Sequence, residues 1–154
     1  MNSYWIESFP NIIKDSKELN ESITADVCIV GGGITGISTA YELSKLGMKV
    51  VILEKDLLSQ KTTGNTTAKI TSSHGLFYSY LANSFSTDYA RKYLFANQNA
   101  IDRIEKNINS EKIDCDFERT DSYIFTSTND NIQKIEDEVS TVNLLGYPAE
   151  FTTN

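Results

Sequence analysis

Asp26-Val27-Cys28-Ile29-Val30-Gly31-Gly32-Gly33-Ile34-Thr35-Gly36 sets the topology of the N-terminal half of this chain. Residues 26–30 form a short, largely apolar run rich in β-branched side chains, which predicts a buried strand. Gly31, Gly33 and Gly36 then fall on the spacing G-x-G-x-x-G. The spacing alone is a weak signal, and what surrounds it gives it weight. Residues 34–46 predict a helix with Ile37, Ala40 and Leu43 on one side, and Gly47 is placed to end it in a left-handed cap. Residues 49–53, Lys-Val-Val-Ile-Leu, read as a second buried strand. Two apolar strands joined by a helix make a parallel βαβ unit.

Each glycine of the motif has a physical task. Gly31 allows the tight turn out of the strand, and Gly36 lets the helix pack close to the strands. A side chain at Gly33 would hold a diphosphate away from the backbone. The helix starts with free N–H groups and the positive end of its dipole, which together bind an anion; the amides of Ile34 and Thr35 are the natural donors. Glu54 ends the second strand 18 residues after Gly36, close to where an acid accepts hydrogen bonds from a ribose. A carboxylate there disfavours the 2′-phosphate of NADP. The bland alternative is a glycine-rich turn with a solvated Glu54. It leaves the agreement of turn, helix, strand and acid unexplained. The expected fold class is α/β, a Rossmann-like unit.

The rest of the chain narrows the function classes. Its 154 residues carry 40% hydrophobic residues and a net charge of −7. That size and composition suit one compact domain, and the acidic balance argues against nucleic acid and against an anionic membrane surface. No apolar run has the length of a membrane span, and a cytoplasmic protein is expected. Cys28 and Cys115 are far apart and His74 is the single histidine, a set that does not make a metal or iron–sulfur site in this chain. Cys28 is expected to be buried in its strand.

Residues 1–25 read as an arm. Threonine and serine crowd the stretch from Leu57 to Ser73, which suits a polar loop. Amphipathic helices are predicted over 87–108, with Ala90, Tyr93, Leu94, Asn97, Ile101, Ile104 and Ile108 on one face, and over 131–145, ended by Gly146. Residues 117–127 alternate as a strand does, and residues 149–151 read as the start of another. The helices leave room for a partner chain or a downstream domain.

An NAD-binding fold usually continues promptly into another helix and parallel strand, whereas here the threonine-rich loop intervenes. That loop, Lys61-Thr62-Thr63-Gly64-Asn65-Thr66-Thr67-Ala68-Lys69-Ile70, resembles the second flavin-contacting segment of the D-amino acid oxidase/glycine oxidase family of FAD-dependent oxidoreductases. The glycine loop and the Glu54-Lys55 pair are similar to that family as well. Ser3-Tyr4-Trp5, Thr62 to Thr71 and Asp114 to Arg119 resemble a bacterial subgroup that carries a C-terminal Rieske domain. The likeness covers nearly the whole chain. The glycine loop is common to many flavoproteins, and the threonine segment is the more specific part.

The resemblance implies a glutathione-reductase-type FAD-binding fold with additional helices and strands, of which residues 26–154 are the N-terminal, incomplete part. It implies that Gly31, Gly33, Ile34, Thr35 and Gly36 hold the diphosphate of FAD, that Glu54 holds the adenosine ribose, and that Lys55 lies beside the adenine. Thr62 and Thr63 would contact diphosphate or ribityl oxygens. Thr67, Ala68 and Lys69 would approach the flavin ring through their backbone. The activity implied is hydride transfer from an amine or amino-acid-like small molecule to FAD. The substrate clamp is expected from later sequence, and no catalytic residue is assigned. His74 follows the flavin segment, but a lone histidine is more often structural. Arg119 and Tyr123 have the chemistry to face a substrate cleft. An NAD-binding dehydrogenase domain and an inert partner subunit are the competing readings.

Overall fold

The computed structural model describes residues 3–8 and 18–153. The chain divides into two compact units, Met1–Lys69 and Ile70–Asn154.

The first unit begins with the short helix α1 (Tyr4–Ser8). Strand β1 (Val27–Val30), helix α2 (Ile34–Lys45) and strand β2 (Val50–Leu53) follow. The strands pair in parallel with Val27 opposite Val50 and Val30 opposite Leu53. The Gly31 amide extends the ladder by one bond to the Leu53 carbonyl at 2.8 Å. This is the predicted βαβ unit, with boundaries one residue inside those expected. Gly31 has φ +107°, a conformation that glycine adopts without the Cβ clash other residues meet. A Cβ on Gly36 would stand 2.0 Å from the Gly31 carbonyl oxygen and 3.3 Å from Ile29 Cγ2, so helix and strand approach as closely as the sequence predicts. Gly47 has φ +81°. Its amide bonds the Ser44 carbonyl at 2.9 Å, and the Met48 amide bonds the Leu43 carbonyl at 3.2 Å. These bonds satisfy the last carbonyls of α2. Beyond β2 a short 3-10 turn, Thr63–Asn65, interrupts the threonine-rich loop.

Burial of the sheet departs from expectation. Helix α2 packs on the face carrying Ile29; on the opposite face Cys28 and Val30 of β1 are exposed, while all four residues of β2 are partly buried. Val30 is 86% exposed, and Cys28 is a free, exposed thiol. A single covering helix buries one side of a pleated strand, because successive side chains point to opposite faces. Both strands are therefore half-buried.

The second unit is built on three helices, α3 (Tyr78–Ser84), α4 (Thr87–Glu111) and α5 (Ile132–Leu145). Tyr78, Leu81, Ala90, Leu94 and Leu145 form its buried core. Helix α4 starts where Ser86 caps the Tyr89 amide at 3.1 Å, and a left-handed Gly146 follows α5. Charged side chains tie the helix ends together. Glu138 of α5, 5% exposed, accepts from the Tyr78 amide at 2.8 Å and the Ser79 amide at 2.7 Å. It thereby caps the N-terminus of α3, where a carboxylate is favoured. Arg91 of α4 donates to the carbonyls of Leu144 and Leu145 at 3.1 and 3.2 Å. Burial pushes the Tyr78 phenol up to about 12, so it stays protonated and donates to the Ser72 carbonyl.

The strand expected over 117–127 is not formed, and neither is one over 149–151; both segments are irregular. Phe125 is 89% exposed. Alternation describes a pleated surface, but a strand exists only when a neighbour supplies its hydrogen bonds. The predicted helices over 87–108 and 131–145 are present, and α4 runs three residues further, to Glu111. Helix α3 was not predicted. Part of the arm predicted over 1–25 is helical, in α1, and residues 9–17 lie outside the described ones.

Candidate functional site

The first unit gathers most of its candidate residues at the entrance of α2. Gly33 precedes the helix in extended conformation, with no side chain to cap it. The first amides of an α-helix have no acceptor within the helix, so they take one from elsewhere. Ile34 N–H donates to Thr63 Oγ1 at 2.9 Å. A Cβ on Gly33 would stand 3.3 Å from the same oxygen, in the space where an anion at the helix entrance would sit. The entrance therefore combines bare backbone at Gly33 with a helix N-terminus, a combination that favours anions, and the Thr63 hydroxyl occupies its first amide.

Glu54 closes the other side of the glycine loop. Its Oε2 accepts from the Gly32 amide at 2.8 Å and its Oε1 from the Asp56 amide at 3.0 Å. These bonds, the one from Gly32 foremost, hold its carboxyl below its ordinary value of 4.5. A carboxylate offers about four lone-pair sites, so two amide bonds leave acceptor capacity for hydroxyl groups. Beside Glu54, the exposed Lys55 lines an open hollow of about 430 Å³ with Asp56, Leu57, Gln60 and Lys61.

Gly31, Gly33, Ile34, Thr35, Gly36, Glu54 and Thr63 thus surround one helix entrance. Lys55 and Thr62 are their exposed chain neighbours. Thr67, Ala68 and Lys69 continue along the chain, all exposed. Ala68 takes φ +57°, uncommon for a residue with a Cβ, and its amide bonds Thr66 Oγ1 at 3.3 Å.

Two contributors escaped the motif. Gly32 occupies an unspecified position of G-x-G-x-x-G, yet a Cβ there would lie 1.8 Å from Leu58 Cδ2 and 3.3 Å from Glu54 Cβ. The run of three glycines was the available signal. Gly64 was the other, buried within the threonine segment. In the second unit, His74 is exposed with Nδ1 3.3 Å from Tyr93 Oη. Arg119 is held by Asp102 and Glu105 of α4 at 2.5 and 2.7 Å, and those carboxylates raise its pKa. Tyr123 is exposed. Among the described residues no group of histidine, cysteine and acids is placed to hold a metal, and no helix is long and apolar enough to cross a membrane.

A family model described as FAD dependent oxidoreductase, DAO, matches residues 26–153. YhfW of Bacillus subtilis (strain 168), provisionally named a Rieske 2Fe-2S iron-sulfur protein, is 40% identical over 149 residues, covering 94% of this chain and 28% of that protein. Gamma-glutamylputrescine oxidoreductase of Escherichia coli (strain K12) is 35% identical over 99 residues, 64% of this chain and 23% of that protein. Human mitochondrial sarcosine dehydrogenase is 48% identical over 44 residues, 28% of this chain and 5% of that protein. The chain spans about a quarter of the length of the first two of these relatives. No solved structure matches it significantly.

Proposed function

The chain belongs to the DAO family of FAD-dependent oxidoreductases, and on that premise we propose that residues 26–69 hold the diphosphate and adenosine of FAD. In this reading the amides of Ile34 and Thr35, with the bare backbone of Gly31, Gly33 and Gly36, take the diphosphate. Glu54 takes the ribose hydroxyls, and Lys55 borders the adenine. Thr62 and Thr63 reach diphosphate or ribityl oxygens, and Thr67, Ala68 and Lys69 approach the ring through their backbone. The observation that carries the reading is the Thr63 hydroxyl on the Ile34 amide. It brings the threonine segment to the glycine loop, two stretches that a dinucleotide would have to bridge.

FAD, when bound, supplies the two-electron acceptor. The part of this chain is to bind it and fix its position. Residues 26–154 are the N-terminal part of the oxidoreductase domain, and residues 1–25 precede it as an arm. In the complete enzyme the substrate is an amine or amino-acid-like molecule that gives up a hydride. Supporting this class are relatives named for gamma-glutamylputrescine and sarcosine. A cytoplasmic location is part of the same proposal.

The test is uptake from a mixture of FAD and NAD, with the retained nucleotide identified by mass spectrometry after denaturation. FAD alone is expected. Retention of NAD in its place would overturn the reading.

A further inference from the structure

Helix α1 and the threonine segment meet at the 3-10 turn. The Trp5 indole N–H donates to the Thr66 carbonyl at 2.8 Å. A Cβ on Gly64 would lie 2.9 Å from Ile6 Cγ1, 3.0 Å from Ile6 Cδ1 and 2.5 Å from the Ser59 carbonyl oxygen. Ile6 therefore sits where this turn has no side chain, and glycine is what lets it approach. Trp5 is 37% exposed and meets Tyr4 edge to face, with ring centroids 5.0 Å apart. On its far side the same turn presents Thr63 Oγ1 to the Ile34 amide.

We propose that Trp5 and Ile6 are positioning residues: they pin the turn at Gly64 and Thr66 and so hold the Thr63 hydroxyl at the entrance of α2. The inference rests on the reading of that entrance as the FAD diphosphate site. Its physical basis is preorganisation. A polar loop with little regular structure loses conformational freedom when it closes on a ligand, and an anchor that fixes it beforehand strengthens binding. Both residues act through the turn.

The test uses the full chain with Trp5→Phe, which keeps a ring and removes the N–H donor, and with Trp5→Ala. Amide hydrogen exchange is followed over residues 62–69, and FAD affinity by titration of flavin fluorescence. In Trp5→Phe the loop amides are expected to exchange faster, while protection in α4 and α5 is unchanged. The FAD dissociation constant should rise about three- to tenfold, the scale of one net hydrogen bond. Trp5→Ala should show both effects more strongly. Unchanged exchange over 62–69 in both variants overturns the anchor. Faster exchange with wild-type FAD affinity overturns its positioning role. Failure of the wild-type chain to take up FAD contradicts the cofactor reading and the positioning role together. The exchange comparison needs no flavin and still decides whether the anchor exists.

Discussion

Glu54 and Gly32 are joined by a hydrogen bond of 2.8 Å from the Gly32 amide to the carboxylate. The end of the second strand is thereby locked onto the turn that leaves the first. The same carboxylate is the one proposed to hold the ribose of FAD, which would give it a binding task beside the structural one. Replacing it by alanine is expected to weaken FAD binding about tenfold or more, the scale for hydrogen bonds to a charged group. Titration of the variant against wild type checks this, and equal affinity would remove Glu54 from the ribose site.

The lowered pKa of Glu54 makes its structural contribution depend on pH. The amides of Gly32 and Asp56 favour the ionised form in the folded chain, so the unfolded chain binds the proton more readily. The contribution is complete above the ordinary value of 4.5 and is lost as pH falls through the lowered folded value. Thermal midpoints of wild type and Glu54→Ala should therefore differ at neutral pH and converge in acid below 4.5. A difference that stays constant through that range would contradict the assignment.

Thr63 is expected to be replaceable by serine but not by valine. Valine has nearly the same shape but lacks the hydroxyl proposed to reach a diphosphate or ribityl oxygen of FAD, and a net hydrogen bond contributes about 1 kcal/mol. FAD affinity should fall about fivefold in Thr63→Val and stay near wild type in Thr63→Ser. Calorimetric titration of both variants separates the hydroxyl from the methyl group.

Glu138 tests the second unit independently of any cofactor. Glu138→Ala leaves the amides of Tyr78 and Ser79 without their carboxylate. The expected loss is about 1–3 kcal/mol, the cost of leaving buried donors unsatisfied. For a unit of this size each kcal/mol lowers the melting midpoint by about 4–8 °C. Glu138→Gln should fall between, since its single amide oxygen replaces two carboxylate oxygens. A melting curve unchanged in Glu138→Ala would show that α3 does not depend on this cap.

These residues also mark what could be read from sequence. Strand, glycine turn, helix, left-handed Gly47 and second strand were legible because each depends on neighbours a few positions away. Helix α4 was legible for the same reason, its apolar stripe repeating every three to four residues. Helix α3 was not, because the carboxylate that caps it lies 60 residues further on. The stretch around Tyr123 and Phe125 alternates convincingly, yet no local pattern shows whether a partner strand is there to receive it. In the site, Gly31, Gly33 and Gly36 follow from spacing. Gly32 does not, since its need for a bare Cα comes from Leu58 packing over it. The burial expected of Cys28 failed because hydrophobicity says what a strand tends to bury and not which of its faces is covered.

FAD is proposed to bind at the start of α2, against the amides of the glycine loop and the hydroxyl of Thr63. Amide chemical-shift mapping of the labelled chain during FAD titration tests it most directly. The largest shifts are expected at Gly31, Gly33, Ile34, Thr35, Gly36 and Thr63, saturating together. Shifts confined to other residues, or none at a flavin concentration well above the dissociation constant of the intact enzyme, would contradict it.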